Sequence, residues 1–120
     1  MAQSAVTVVG KIVGIFTKES AERLFRAFDR ALGGAATAQV SMIIDCRAMD
    51  DYTTEARAAF TEWMTSHRSS ISKVAIVTPK TVWHMAIATM SLVSGIPMRG
   101  FPTMVEAETF VGPSSSRIDA

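Results

Sequence analysis

A chain of 120 residues with 48% hydrophobic and 19% charged side chains has the length of one domain and the composition of a packed one, which excludes a disordered segment and a two-domain enzyme. A formal net charge of +1 gives no electrostatic basis for binding nucleic acid. The single cysteine, Cys46, excludes an internal disulfide and fits a reducing cytoplasm. No apolar run approaches the roughly 20 residues that span a bilayer, and no basic region precedes the apolar N-terminal stretch as a secretory signal would require.

In chain order, Val6 to Phe16 is rich in β-branched residues and predicts a strand, with Gly10 as a bulge or as the turn of a short hairpin. Thr17 then caps a helix from Lys18 to Leu32 whose Ala21, Leu24, Phe25, Phe28 and Leu32 share one face, and Gly33-Gly34 stops it. Val40 to Cys46 is an unalternating apolar run, as expected of a strand buried on both faces. A polar loop, RAMDDY, follows. The second helix begins near Thr53 with a stripe of Ala56, Ala59, Phe60, Trp63 and Met64. Lys73 to Val77 predicts another buried strand, Thr78 caps the next helix with Pro79 at its first position, and that helix ends at Gly95. MRGF makes a short strand. Thr103 to Glu106 matches a capping box opening a helix that reaches Val111 and is closed by Gly112-Pro113. The domain therefore spans 1–112, with 113–120 as a flexible tail.

This alternation predicts an α/β fold with about four strands in a mixed, mostly parallel sheet and four helices. Sites in such sheets gather beyond the carboxyl ends of the strands. Asp45, Arg47, Asp50, Asp51, Thr53 and Thr54 follow one strand, and Thr78 and Lys80 follow another.

The segments IIDCRAMDDYTTEARAAFTEWM, KVAIVTP and MRGFPTMVEAETFV resemble the STAS group (sulphate transporter and anti-sigma-factor antagonist), nearest its divergent antagonist-like, STAS/CRAL-TRIO-like branch. The likeness runs from about Val6 to Val111. It implies a STAS-like domain of non-catalytic, regulatory use. Antagonists of this group carry an Asp-Ser-Ser/Thr-Gly motif whose first Ser is phosphorylated. Laid on it, Thr53 stands at the Asp, Thr54 at the acceptor, Glu55 at the second Ser and Ala56 at the Gly. Only the hydroxyl of Thr54 is retained, and Glu55 would repel an added phosphate. The CRAL-TRIO side of the likeness implies a small apolar ligand instead.

The helix in TVWHMAIATMSLVSGIP, residues 81–97, is apolar over an arc of roughly 220°, where packing on a sheet needs roughly 100° to 150°. Val82, Met85, Ala86, Thr89 and Val93 are expected to fill the sheet-facing role. Trp83, Ile87 and Met90 are then surplus, a patch for a second copy in a homodimer, a protein partner or an apolar small molecule. His84 and Ser91 lie on the opposite strip, as residues of a pocket mouth. Four of the eight methionines, Met85, Met90, Met98 and Met104, fall in this third of the chain and suit adaptable contacts. Asp50, Asp51, Thr53 and Thr54 form a candidate regulatory loop. Cys46 reads as a core residue and His67 as a cation at a helix C-terminus. No phosphate loop, zinc spacing or nucleophile elbow is present, so the sequence calls for no catalytic residue, metal or cofactor. The expectation is a cytoplasmic, non-enzymatic interaction and regulatory module that dimerises through an apolar helix face. The alternatives are a carrier of a lipid-like ligand and a phosphoswitched anti-sigma-factor antagonist.

Overall fold

The computed structural model describes residues 5–35, 39–114 and 116–120; residues 1–4 of the expected domain and Ser115 of the expected tail lie outside them. The elements are β1 (Ala5–Phe16), α1 (Lys18–Ala35), β2 (Gln39–Tyr52), α2 (Thr54–Ser66), β3 (Ile71–Val77), a 3-10 turn (Thr81–Trp83) running into α3 (His84–Ser94), β4 (Met98–Phe101), α4 (Met104–Val111) and β5 (Ser116–Asp119). The strands form one sheet in the order β4-β3-β2-β1-β5, and every neighbouring pair is parallel.

The sheet therefore has five parallel strands, not four in a mixed sheet. The fifth comes from the segment expected to be a flexible tail. Ser116, Arg117, Ile118 and Asp119 stand in register with Val6 to Val9, and the Ala120 amide donates to the Val9 carbonyl at 2.7 Å. Backbone pairing with an open edge makes the strand, which is why its polar composition gave no sign of it.

Three further boundaries differ. Gly10 is neither bulge nor hairpin turn: β1 runs straight through it, opposite Ile44. The bulges lie later, between Lys11 and Val13 and between Gly14 and Ile15, where Gly14 adopts φ +72°. The expected loop RAMDDY is strand: Ala48, Met49, Asp51 and Tyr52 pair with Val13, Gly14, Ile15 and Phe16. α1 continues through Gly33-Gly34 to Ala35.

Two cores fill the layers. α1, α2 and α3 pack on one face over Val8, Ile12, Met42, Ile44, Val74 and Ile76, among others. On the other face α4 covers Ile43, Ala75 and Val77 with Ala107, Met104 and Phe110. The caps are those their residue types predict. Thr17 and Ser20 exchange bonds, Ser20 N to Thr17 Oγ1 at 3.2 Å and Thr17 N to Ser20 Oγ at 2.7 Å. Thr53 Oγ1 accepts from Ala56 N at 3.1 Å and Thr103 Oγ1 from Glu106 N at 3.3 Å.

Gly10 has a packing reason. A Cβ there would lie 2.7 Å from Cε1 and 2.9 Å from Cζ of Phe28, whose ring is fully buried and cannot yield. Gly10→Ala is expected to destabilise the fold by about 1–3 kcal/mol, read as a lower midpoint in urea. An unchanged midpoint would show that β1 and α1 are not held at this distance.

Candidate functional site

α3 determines what the molecule can present, and its inner face is fixed by polar contacts at both ends. At the C-terminal end Ser91 Oγ donates to the Ile96 carbonyl at 2.8 Å and accepts from Met98 N at 3.0 Å. Ser94 Oγ accepts from Ile96 N at 3.2 Å, and Gly95 closes the helix at φ +75°. The two hydroxyls thus tie the last helical turn to the start of β4. At the other end the His84 ring lies flat on Gly100 of β4, so close that a Cβ on that glycine would be 2.6 Å from His84 Cδ2. Trp83 packs edge-on against Tyr52, centroids 5.6 Å apart. Lys80 Nζ sits 4.3 Å from the Trp83 ring centroid and donates to the Asp50 carbonyl at 2.7 Å.

These contacts turn Trp83, Ile87, Met90 and Ser94 inward. Ile87 is 4% exposed and Met90 8%, so they are not the outward patch the sequence implied. Val82, Met85 and Val93, expected against the sheet, face out instead, together with Leu92; their exposures are 74, 79, 62 and 86%. The phase of the helix is reversed because Ser94 is fully buried with its hydroxyl paired. Pro79 does not open the helix either. Thr78 Oγ1 accepts from Lys80 N at 3.2 Å, and the helical turn begins at Thr81.

Trp83, Ile87 and Met90 do come together on a wall of one cavity, with Cys46, Met49 and Phe60 among the residues opposite. Its volume is about 60 Å³, several times below the roughly 300–1,000 Å³ of ligand pockets. His84 and Ser91 do not line it. His84 Nε2 is buried without a hydrogen-bond partner among the described residues, and Ser91 serves as the clamp described above.

The expected regulatory loop is divided between two elements. Asp50 and Asp51 lie near the C-terminal end of β2, where Asp51 Oδ1 accepts from Tyr52 N at 2.8 Å. Thr53 is the N-cap of α2, and its amide donates to the Phe16 carbonyl at 3.0 Å. Thr54 is exposed and stands with Arg57, Thr61, Glu62 and Val93 on the walls of an open groove between α2 and α3. The sequence reading missed the role of Lys80 and Tyr52, which connect this arm to α3; a lysine three residues before a tryptophan was the available signal.

Burial, and then the charge of Asp45, push the Cys46 thiol up to about 12, so the nucleophilic thiolate is suppressed. Asp45 is buried and gripped by Arg47 through Nε at 2.9 Å and Nη2 at 2.8 Å. That pairing holds its carboxyl below the usual carboxylate value, against the opposing effect of burial. His67 Nδ1 is 2.9 Å from the Trp63 carbonyl and Nε2 is 3.4 Å from Asp29 Oδ1, while the ring stacks on Trp63. It joins α2 to α1, a structural role. Among the described residues no three of His, Cys, Asp and Glu are grouped to hold a metal, and no helix is long and apolar enough to cross a membrane.

Residues 6–111 match the family model described as SpoIIAA-like. The chain belongs to the SpoIIAA-like family. A solved structure with the same fold is that of an uncharacterized protein of the DUF3478 family from Shewanella loihica PV-4, described as SpoIIAA-like. It superposes with a TM-score of 0.70 at 20% identity, over 85% of this chain and 81% of that one, a likeness of fold. No functionally curated protein matches the chain. The family match agrees with the STAS resemblance read from the sequence. Thr54 opens the first turn of α2 and follows the Thr53 cap.

Two outcomes test the clamp and the ion pair. Ser91→Ala leaves the Met98 amide unpaired and is expected to cost about 1–2 kcal/mol in urea denaturation at pH 7. For Asp45, the folded-state carboxyl titrates lower than the unfolded one. Its stabilisation is present above the unfolded value, near pH 4, and is lost as pH falls through the lower folded value. Asp45→Asn should therefore cost about 1 kcal/mol at pH 7, discounted for the half-exposed Arg47, and less at pH 3. An equal loss at both pH values would contradict the ion-pair assignment.

Proposed function

We propose that this SpoIIAA-like chain is a non-catalytic interaction and regulatory module, and that its working surface is the outer face of α3. The observation that supports this is the set of four large apolar side chains, Val82, Met85, Leu92 and Val93, that α3 and the 3-10 turn leading into it turn to solvent. Exposed apolar residues scattered singly are ordinary, but a contiguous patch marks a contact surface or an aggregation hazard. The inner contacts hold that face in place from behind, so it is a rigid feature and not a frayed turn. A regulatory role in the cytoplasm accords with the family and with the single buried thiol.

A phosphoswitch at Thr54 is the second reading, and one observation favours it. Thr54 and Val93 share the groove between α2 and α3, so a phosphate on Thr54 would place about −1.5 to −2 charges at the border of the apolar face. Glu55 alongside works against it. The carrier reading has less support, because the cavity behind Trp83 is too small for an acyl chain.

The test is affinity capture from a lysate of the source cells with wild type, Leu92→Glu and Val105→Glu. Val105 on α4 is similarly exposed and serves as the control for an added surface charge. Leu92→Glu is expected to reduce specific capture at least tenfold, with circular dichroism and melting temperature unchanged, while Val105→Glu captures as wild type does. Equal capture by both variants would sink the assignment of this face.

A further inference from the structure

We infer that β5 is a releasable guard strand. It closes the Val6–Val9 edge of β1, and when it leaves, that edge pairs with the same segment of a second copy of this chain. The inference is independent of the outer face of α3.

The sheet ends in β4 on one side and β5 on the other, and the two ends are built differently. A bare strand edge presents amides and carbonyls with which another chain can pair. At β4 the cover is α3, where Ser91 Oγ accepts from the Met98 amide and the His84 ring lies on Gly100. At β1 the cover is β5, and it reaches only from Val6 to Val9. Farther along β1 the register is irregular between Lys11 and Val13 and between Gly14 and Ile15, and such bulges bend an edge away from regular pairing. Val6 to Val9 is therefore the stretch that depends on β5.

The backbone polarity of that stretch follows from one bond. The Ala120 amide donates to the Val9 carbonyl at 2.7 Å, and in a strand the amide and carbonyl of one residue point to the same side. Thr7 and Val9 thus face β5, whereas Val6 and Val8 face β2. Once β5 is gone, Thr7 and Val9 hold the open bonds. A two-fold antiparallel pairing centred on Val8 sets Thr7 of each copy opposite Val9 of the other, and each such pair exchanges both backbone bonds. The edge is its own complement.

The side chains agree with the backbone. Val6, Thr7, Val8 and Val9 are all β-branched, none is charged, and no proline interrupts them. That is the composition of segments that pair with copies of themselves. β5 is of the opposite kind. It carries Arg117 and Asp119 within four residues, and a short, charged edge strand deters further pairing. The charged strand lies along the uncharged one.

β5 is also lightly held. Of Ser116 to Asp119 only Ile118 is half-buried, against the core beneath α1 to α3. Arg117 reaches Glu108 at 4.0 Å and Asp119 at 3.4 Å, exposed pairs that contribute little. One half-buried side chain and a short ladder must offset the entropy of ordering the segment. The strand accordingly opens as a local unit while the central strands stay closed.

The experiment uses the full chain as wild type, Ile118→Pro and Ile118→Ser, each with and without Leu92→Glu to remove any association through α3. Hydrogen exchange is read at the Thr7, Val8 and Val9 amides, and mass by light scattering over a concentration series. In wild type, Thr7 and Val9 should exchange at least tenfold faster than Val8. Ile118→Pro should accelerate Thr7 and Val9 at least tenfold more, leave Val8 unchanged, and associate as its concentration rises, in both backgrounds. Ile118→Ser, which keeps the amide, should do the same in smaller measure. An excess of a synthetic peptide of residues 113–120 should suppress that association by filling the vacated edge. Equal protection at Thr7, Val8 and Val9 in every variant overturns the guard strand. Loss of the helical circular dichroism in both Ile118 variants overturns it as well, because β5 would then belong to the cooperative core. A folded variant with fast Thr7 and Val9 amides that stays monomeric overturns the pairing with a second copy, and so does association that the peptide leaves untouched.

Discussion

Everything in this fold is arranged around β2, whose residues 42–46 are buried on both faces of the sheet. An all-parallel sheet cannot leave such a strand open to water, because each face carries apolar side chains and every crossover must lie on one face or the other. Three helices share one side and α4 alone serves the other. α4 reaches the centre over β2, β3 and β4, held at its C-terminal end by Lys73 Nζ donating to the Phe110 carbonyl at 3.0 Å. The far ends of β1 and β2 then run on together beyond that cover, leaving Val13 and Ile15 exposed. The molecule is accordingly long, 42 Å against 26 and 24 Å.

Sharing one face among three helices decides the behaviour of α3. Its two sides are nearly matched in apolar surface, Trp83, Ile87 and Met90 against Val82, Met85, Leu92 and Val93. Hydrophobic burial at roughly 25 cal/mol per Å² differs little between the two orientations. The polar groups break the tie. Half a turn about the helix axis would carry Ser91 and Ser94 away from their partners and strand the amides of Ile96 and Met98. Each unpaired buried group costs about 1–3 kcal/mol, more than any difference in apolar area. The hydroxyls, the least hydrophobic residues on the helix, therefore choose which hydrophobic residues go inside.

This is also why the sequence disclosed some elements and not others. α1 has one apolar stripe, so its period and its phase are both legible: Ala21, Leu24 and Phe28 are buried as their spacing implies. α3 has a helical period but two apolar sides, so periodicity gives the helix and leaves its rotation undetermined. The rotation depends on Met98 and Gly100 of β4, contacts that no local pattern records. The polar stretch from Arg47 to Tyr52 looked like a loop because much of that arm is open to solvent; its strand character comes from pairing with β1. β5 is the extreme case, four residues of SRID with no apolar run at all. Of the candidate site, the helix and its excess of apolar surface were legible, and the side that carries the excess was not.

The contrast between α1 and α3 also bears on what an outward apolar face means in this molecule. Both helices pack on the same side of the sheet, and both must turn one side to solvent. α1 does so with Glu22, Arg23, Arg26 and Arg30, all exposed, the arrangement that keeps a helix surface soluble. α3 places Met85 and Leu92 there, with no charge along its length. A domain that can build a charged outer face on one helix has no structural need for an apolar one on its neighbour, since exposed positions contribute little to folding whichever side chain they carry. Leu92, the most exposed of the large apolar residues, does nothing for the fold that a lysine would not do. On the proposed reading of this face, its presence is explained by a surface that meets another surface.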